Sequence, residues 1–198
     1  VTHVHHTGVW DGDTLLPNVL HPMLDASGTQ LTGLSDAREA GAALFKPPER
    51  VALKVNVIGS SAFSTHLPLV MAVAEQLQAI GIPAEHIVIF DRSTRELDGA
   101  GYPVNEDGEG IRCYGTDRRY TGGWSMMGTD IQFSDILLNC DALINIPVLK
   151  AHSISGISFA MKNHYGTFDR PGQFHAPRIE HALAELNALP PIRERTRL

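Results

Sequence analysis

The chain has 198 residues, 43% of them apolar and 19% charged, which supports a packed core and excludes a disordered, charge-dominated chain. Its net charge of −6 argues against a general nucleic-acid or membrane-surface role, since either calls for a basic face. No apolar run approaches the ~18–20 residues needed to cross a bilayer. Two cysteines, Cys113 and Cys140, are too few for a four-cysteine iron–sulfur cluster or zinc site, and whether they pair is left open.

Residues 1–50 read as an irregular or partly helical lead-in punctuated by Pro17, Pro22, Pro47 and Pro48, with helical composition at 36–45. The pattern then changes. Val51–Val57 alternates, with Val51, Leu53, Val55 and Val57 on one face and Ala52, Lys54 and Asn56 on the other. A turn at Gly59–Thr65 leads into a helix predicted at about His66–Ile80, with Thr65 as its cap and Gly81 and Pro83 at its end. His86–Asp91 reads as a second strand, apolar on both faces, and the strand–helix–strand order implies a parallel crossover. Ser93-Thr-Arg-Glu96 has the spacing of a capping box for a short helix. A Gly-rich excursion at about 100–130 follows, with room for a hairpin. Ser134–Cys140 reads as a short helix, Ala142–Ile146 as a third buried strand, and about Pro177–Leu189 as a last helix. Another strand could start at Arg197-Leu198. The expected architecture is a single α/β domain over 1–198, a three-layer sandwich with a mainly parallel sheet.

Three of the four lysines stand inside or beside apolar runs: Lys54 within Val51–Val57, Lys150 after Ala142–Leu149, and Lys162 after Ile157–Met161. A buried ammonium is costly unless it has a partner or a task. Asn56, His152, Asn163 and His164 stand beside them, and His175 follows. Lys54 and Asn56 share a strand face near the end where parallel sheets place ligands. The alternative is an edge strand whose lysine reaches solvent along its stem. Ser64 and Thr65 precede a helix N-terminus, where free N–H groups favour anions, although a plain turn explains them equally. His66 could face the same cleft. Lys150 and His152 point the same way if the chain stays extended. Imidazoles suit transition metals, so His152, His164 and His175 form a candidate metal set, while neighbouring ammonium groups favour an anion or a metal-bound anion over a bare cation. Asp91 ends a strand and reads either as a site carboxylate or, preferably, as an N-cap.

These motifs occur in a familiar order: Lys54-Val-Asn56, Phe90–Leu97, Ala100-Gly-Tyr102, Ile144–His152 and Ser155–Gly166. The chain strongly resembles the domain of unknown function family numbered 362, especially its branch exported by the twin-arginine pathway, over roughly Leu31 to the C-terminus. The resemblance implies an α/β fold and a shared site around Lys54, Asn56, Lys150, His152, Lys162 and Asn163. It also implies an extracytoplasmic location, in the periplasm or secreted. Many members carry ferredoxin-like cysteine motifs from which a redox role is inferred. This chain departs from them, so no iron–sulfur cluster is expected. Members usually continue past a segment like Arg195–Leu198, so further chain is expected to complete the fold.

The expected function is an enzyme acting on a small anionic substrate, metal-assisted or redox in the wider family context. Lys150, His152 and Lys162 would be catalytic, and Lys54, Asn56, Asn163, Ser64 and Thr65 would contact substrate. The competing readings are a non-catalytic anion- or metal-binding module and a structural or assembly protein. No nucleic-acid partner and no transmembrane segment are expected. No Gly-x-Ser-x-Gly elbow or dinucleotide glycine fingerprint is present.

Overall fold

A computed structural model describes residues 1–59 and 61–198; Ser60, in the predicted turn, lies outside the described residues. A small hairpin of β1 (Trp10–Asp11) and β2 (Thr14–Leu15) precedes two helices, α1 (Pro17–Thr32) and α2 (Ala37–Leu44). The helix α1 was not legible as such, because its prolines read as breaks. Pro17 occupies its first turn, where the missing N–H is no loss. Pro22 is carried inside because the helix is held from outside, packed against α2 and the later α3. Gly33, at φ 77°, ends it with its N–H on Thr29.

The central sheet is built from β3 (Val51–Lys54), β4 (Ile87–Phe90), β5 (Arg112–Cys113) and β8 (Ala142–Asn145), in the order β5-β4-β3-β8, all parallel. Between them run α3 (Leu67–Ala79), α4 (Thr94–Gly99), the antiparallel hairpin β6 (Tyr120–Met126) and β7 (Thr129–Ser134), and α5 (Asp135–Leu138). Thus the 100–130 region contributes an edge strand and most of a hairpin. After β8 come a second hairpin, β9 (Lys150–His152) and β10 (Gly156–Ser158), then α6 (Ala160–Asn163), α7 (Ile179–Ala188) and α8 (Pro190–Arg193).

The alternation read from Val51–Val57 sorts the core as expected. Val51, Leu53, Val55 and Val57 pack with α3 residues Val70, Ala74 and Leu77 on one side of the sheet. Ala52 faces the other side with Phe133, Leu137, Phe168, Ala182 and Leu186. Helices therefore flank a parallel sheet in three layers. Cys113 and Cys140 are free and buried, and they belong to these two separate cores. Residues 195–198 run parallel to β8, with Leu143 N–H on the Arg195 carbonyl at 2.7 Å and Asn145 N–H on that of Leu198 at 2.7 Å. The contact is an isolated bridge at Thr196 rather than the strand expected from Arg197-Leu198, and it covers what would otherwise be an open edge.

Candidate functional site

Because β3, β4 and β8 are parallel and in register, Lys54, Phe90 and Asn145 end their strands side by side. The residues that follow therefore converge at the carboxyl edge of the sheet, where open parallel sheets bind ligands. Lys54 lies on a central strand, so the solvent-reaching alternative does not apply. Its side chain is fully buried, and its Nζ donates to Asp91 Oδ1 at 2.7 Å, to the Val55 carbonyl at 2.6 Å and to Asn163 Oδ1 at 3.3 Å. Three donors meet three acceptors, so the Lys54 ammonium is committed to the fold rather than to a substrate.

Asp91 is the partner that sequence reasoning assigned elsewhere. It is not the helix cap; Ser93 is, accepting the Glu96 N–H. Asp91 is fully buried and takes the Lys54 ammonium and the Arg92 N–H on Oδ1 and the Val57 N–H on Oδ2. A signal for it existed: opposite charges at the last residue of one parallel strand, Lys54, and just beyond the end of its neighbour, Asp91.

The asparagines form a chain that ties the strands together. Asn163 Nδ2 donates to the Lys54 carbonyl at 3.2 Å and to Asn145 Oδ1 at 2.7 Å, while its Oδ1 also accepts from Asn56 Nδ2 at 3.3 Å. Asn145 in turn donates to the Ala160 carbonyl and to His164 Nε2. Asn145 was absent from the expected site set, although it lies in the same motif. Thr65 does not cap α3, whose N-cap is His66. Its hydroxyl donates to the Ile146 carbonyl at 2.7 Å and accepts the Asn56 N–H at 2.9 Å, joining two strand ends. Ser64 is buried beside it. His66 packs edge-on against Trp10, ring centroids 5.0 Å apart, and does not line the cleft.

Above this polar floor is a cleft of about 170 Å³ lined by Lys54, Asn56, Asp91, Lys150, His152, Lys162, Asn163 and His175, among others. Lys150 and His152 reach it from one face of the β9–β10 hairpin, with Ser158 opposite Lys150. The Lys150 Nζ donates to Asn56 Oδ1 at 2.7 Å and to the carbonyls of Ile58 and Phe63. It latches the hairpin onto the segment after β3. Lys162 is buried, with Nζ 3.2 Å from His175 Nε2 and 4.4 Å from the centre of the Tyr165 ring. Neither lysine pairs with a carboxylate among the described residues. Burial holds both ammonium groups below the ordinary lysine value, and at Lys162 the charge of Lys150 adds to the effect.

Two imidazoles stack across the cleft, His152 and His175, centroids 5.9 Å apart. His152 Nδ1 accepts N–H bonds from Ile154 and Ser155, so its proton resides on Nε2. His175 Nδ1 faces the Pro171 carbonyl at 3.1 Å, which can only accept, so its Nε2 carries the lone pair presented to Lys162. Burial lowers both histidine pKa values, and Lys162 pushes each further down. His164 is placed apart from them. It is buried outside the cleft lining, its pKa driven down to about 3 by burial and then by Lys54. Its Nε2 accepts from Asn145, and its Nδ1 has no hydrogen-bond partner among the described residues. The expected three-histidine metal set is therefore not assembled: no group of three or more His, Cys, Asp or Glu side chains converges among the described residues. The Asn145 network draws His164 down beside the sheet, away from His152 and His175.

A family profile described as Domain of unknown function (DUF362) matches residues 51–193, well over half of the chain. The chain belongs to this family. The match begins at β3 and ends at α8, so every cleft residue named above falls within the DUF362 region. No curated protein matches the chain. No helix among the described residues is long and apolar enough to cross a membrane.

Proposed function

We propose that the cleft at the carboxyl edge of the sheet captures a small anion, and that it does so as the substrate site of an enzyme. The observation that carries this reading is the charge balance of its lining. Asp91 is the carboxylate there and it is consumed by Lys54, which leaves the ammonium groups of Lys150 and Lys162 without a carboxylate in a chain of net charge −6. The neutral His152 adds an Nε2–H donor beside them. Lys162 is the principal contact, because its Nζ has one hydrogen-bond partner among the described residues, His175 Nε2, whereas Lys150 is spent on three oxygens. A cleft of 170 Å³ is smaller than the ~300–1,000 Å³ of drug-sized sites, which suits a compact anion. Export to an extracytoplasmic compartment, implied by the resemblance, belongs to the same proposal and is checked by fractionating cells that make the native protein.

Isothermal titration with sulfate, phosphate and small carboxylates tests the reading. One anion is expected to bind per chain. Lys162→Gln is expected to weaken it by roughly 10- to 100-fold, the worth of a hydrogen bond to a charged group. Equal affinity in the wild type and in Lys162→Gln would overturn it.

A further inference from the structure

The four lysines differ in what their nitrogen atoms touch. Lys46 is exposed, Lys54 is fully buried on Asp91 and two amide-type oxygens, and Lys150 donates to three oxygens. Lys162 alone faces a nitrogen lone pair, that of His175 Nε2, at 3.2 Å. That lone pair is fixed in place, since the opposite ring nitrogen must keep its proton to donate to Pro171. An ammonium in contact with a free imidazole nitrogen can hand over a proton without water. What remains is an uncharged amine opening into an anion-binding cleft.

We propose that Lys162 is a nucleophile that condenses with the carbonyl group of a small 2-oxo acid, with the Nε2–H of His152 holding its carboxylate and the charge of Lys150 nearby favouring it. The inference rests on the anion-site reading above. The proton leaving Lys162 passes to His175 Nε2, and the freed lone pair of Nζ attacks the carbonyl carbon as the C=O π electrons move onto oxygen. The attacking nitrogen, now positively charged, passes one of its two remaining protons to the alkoxide, which gives a neutral carbinolamine and restores the nitrogen lone pair. His175 then returns its proton to the hydroxyl, which departs as water while the nitrogen lone pair forms the C=N bond of a protonated Schiff base. No electrons are gained or lost, and one water is released for each carbonyl consumed. The downward pull on the Lys162 pKa by burial and by Lys150 works in the same direction, because a larger free-amine fraction speeds attack.

Trapping tests this directly. The protein is mixed with pyruvate and borohydride, which reduces an imine to a stable secondary amine, and the adduct is mapped by peptide mass spectrometry. One reduced adduct on Lys162 is expected, forming faster than on the exposed Lys46, because burial and Lys150 raise the free-amine fraction of Lys162. Lys162→Arg keeps the charge and is expected to abolish that adduct, while Lys46→Arg leaves it unchanged. Competition with sulfate separates the two layers of the argument. Pyruvate that displaces sulfate yet leaves no adduct on Lys162 would overturn the nucleophile and spare the anion site. If neither sulfate nor pyruvate binds, both fall. Adducts confined to Lys46 would also overturn the proposal.

Discussion

The Lys54 ammonium and the Asp91 carboxylate meet at 2.7 Å with both side chains about 1% exposed, at the carboxyl ends of neighbouring parallel strands. The pair is structural: it fixes the ends of β3 and β4 and, through the Asp91 bond to Val57 N–H, the segment that carries Asn56. Removing one member leaves the other buried and uncompensated. Asp91→Asn is expected to cost about 3–5 kcal/mol in chemical denaturation, the penalty for breaking a buried pair. A variant within about 1 kcal/mol of the wild type, an ordinary surface-substitution effect, would show that water reaches Lys54.

Gly166 covers this pair. A Cβ there would stand 2.6 Å from Asp91 Oδ1 and 2.8 Å from Lys54 Nζ. Its φ is not in the left-handed region, so the need is for space rather than backbone freedom. Gly166→Ala is expected to lower stability by about 1–3 kcal/mol, as overpacking does. An unchanged melting temperature would mean that the pair can shift without loss.

His164 makes stability depend on pH with a definite sign. Its folded pKa is lowered from the model-peptide value of 6.5 to about 3. The unfolded chain therefore takes up a proton between these values that the folded chain refuses, and stability falls as pH drops from about 6.5 towards 3. The full effect is on the order of 4–5 kcal/mol. His152 and His175, also lowered, act in the same direction. Denaturation of wild type and His164→Gln across this range should give a visibly shallower decline in the variant. Parallel curves would contradict the assignment.

Anion affinity should also follow pH through the lysines. Lys150 and Lys162 lose their charge below the ordinary lysine value, so sulfate, whose own charge is fixed here, should be released at lower pH than an ordinary lysine would release it. Lys162→Gln should flatten that limb. Calorimetric affinities that stay constant up to the ordinary lysine pKa would count against an ammonium-held anion.

Much of the fold was readable because its signals are local. The alternation at Val51–Val57, the helix near 66–80 and the buried run at Ala142–Ile146 each carry their period in a few residues. The helix Pro17–Thr32 was hidden because Pro22 argues against it locally, while packing against two other helices decides the outcome. At the site, the clustering of Lys150, His152, Lys162, Asn163 and His175 was legible, since they crowd 26 residues of sequence. Their division of labour was not. Whether Lys54 meets a substrate or Asp91, and whether Thr65 faces a ligand or joins Asn56 to Ile146, depends on contacts across 37 and 81 residues. No periodicity encodes such pairs. His164 was misassigned for the same reason, since its placement depends on Asn145.

Whether an anion occupies the cleft lined by His152 and His175 decides the function proposed for this site. The ten histidines supply the reporter: sulfate is titrated into the protein while the imidazole carbon-bound proton signals are followed by NMR. Saturable shifts confined to His152 and His175, with His3, His5 and His6 unmoved, are predicted. Shifts limited to the N-terminal histidines, or none in the cleft at any sulfate concentration, would contradict the central claim.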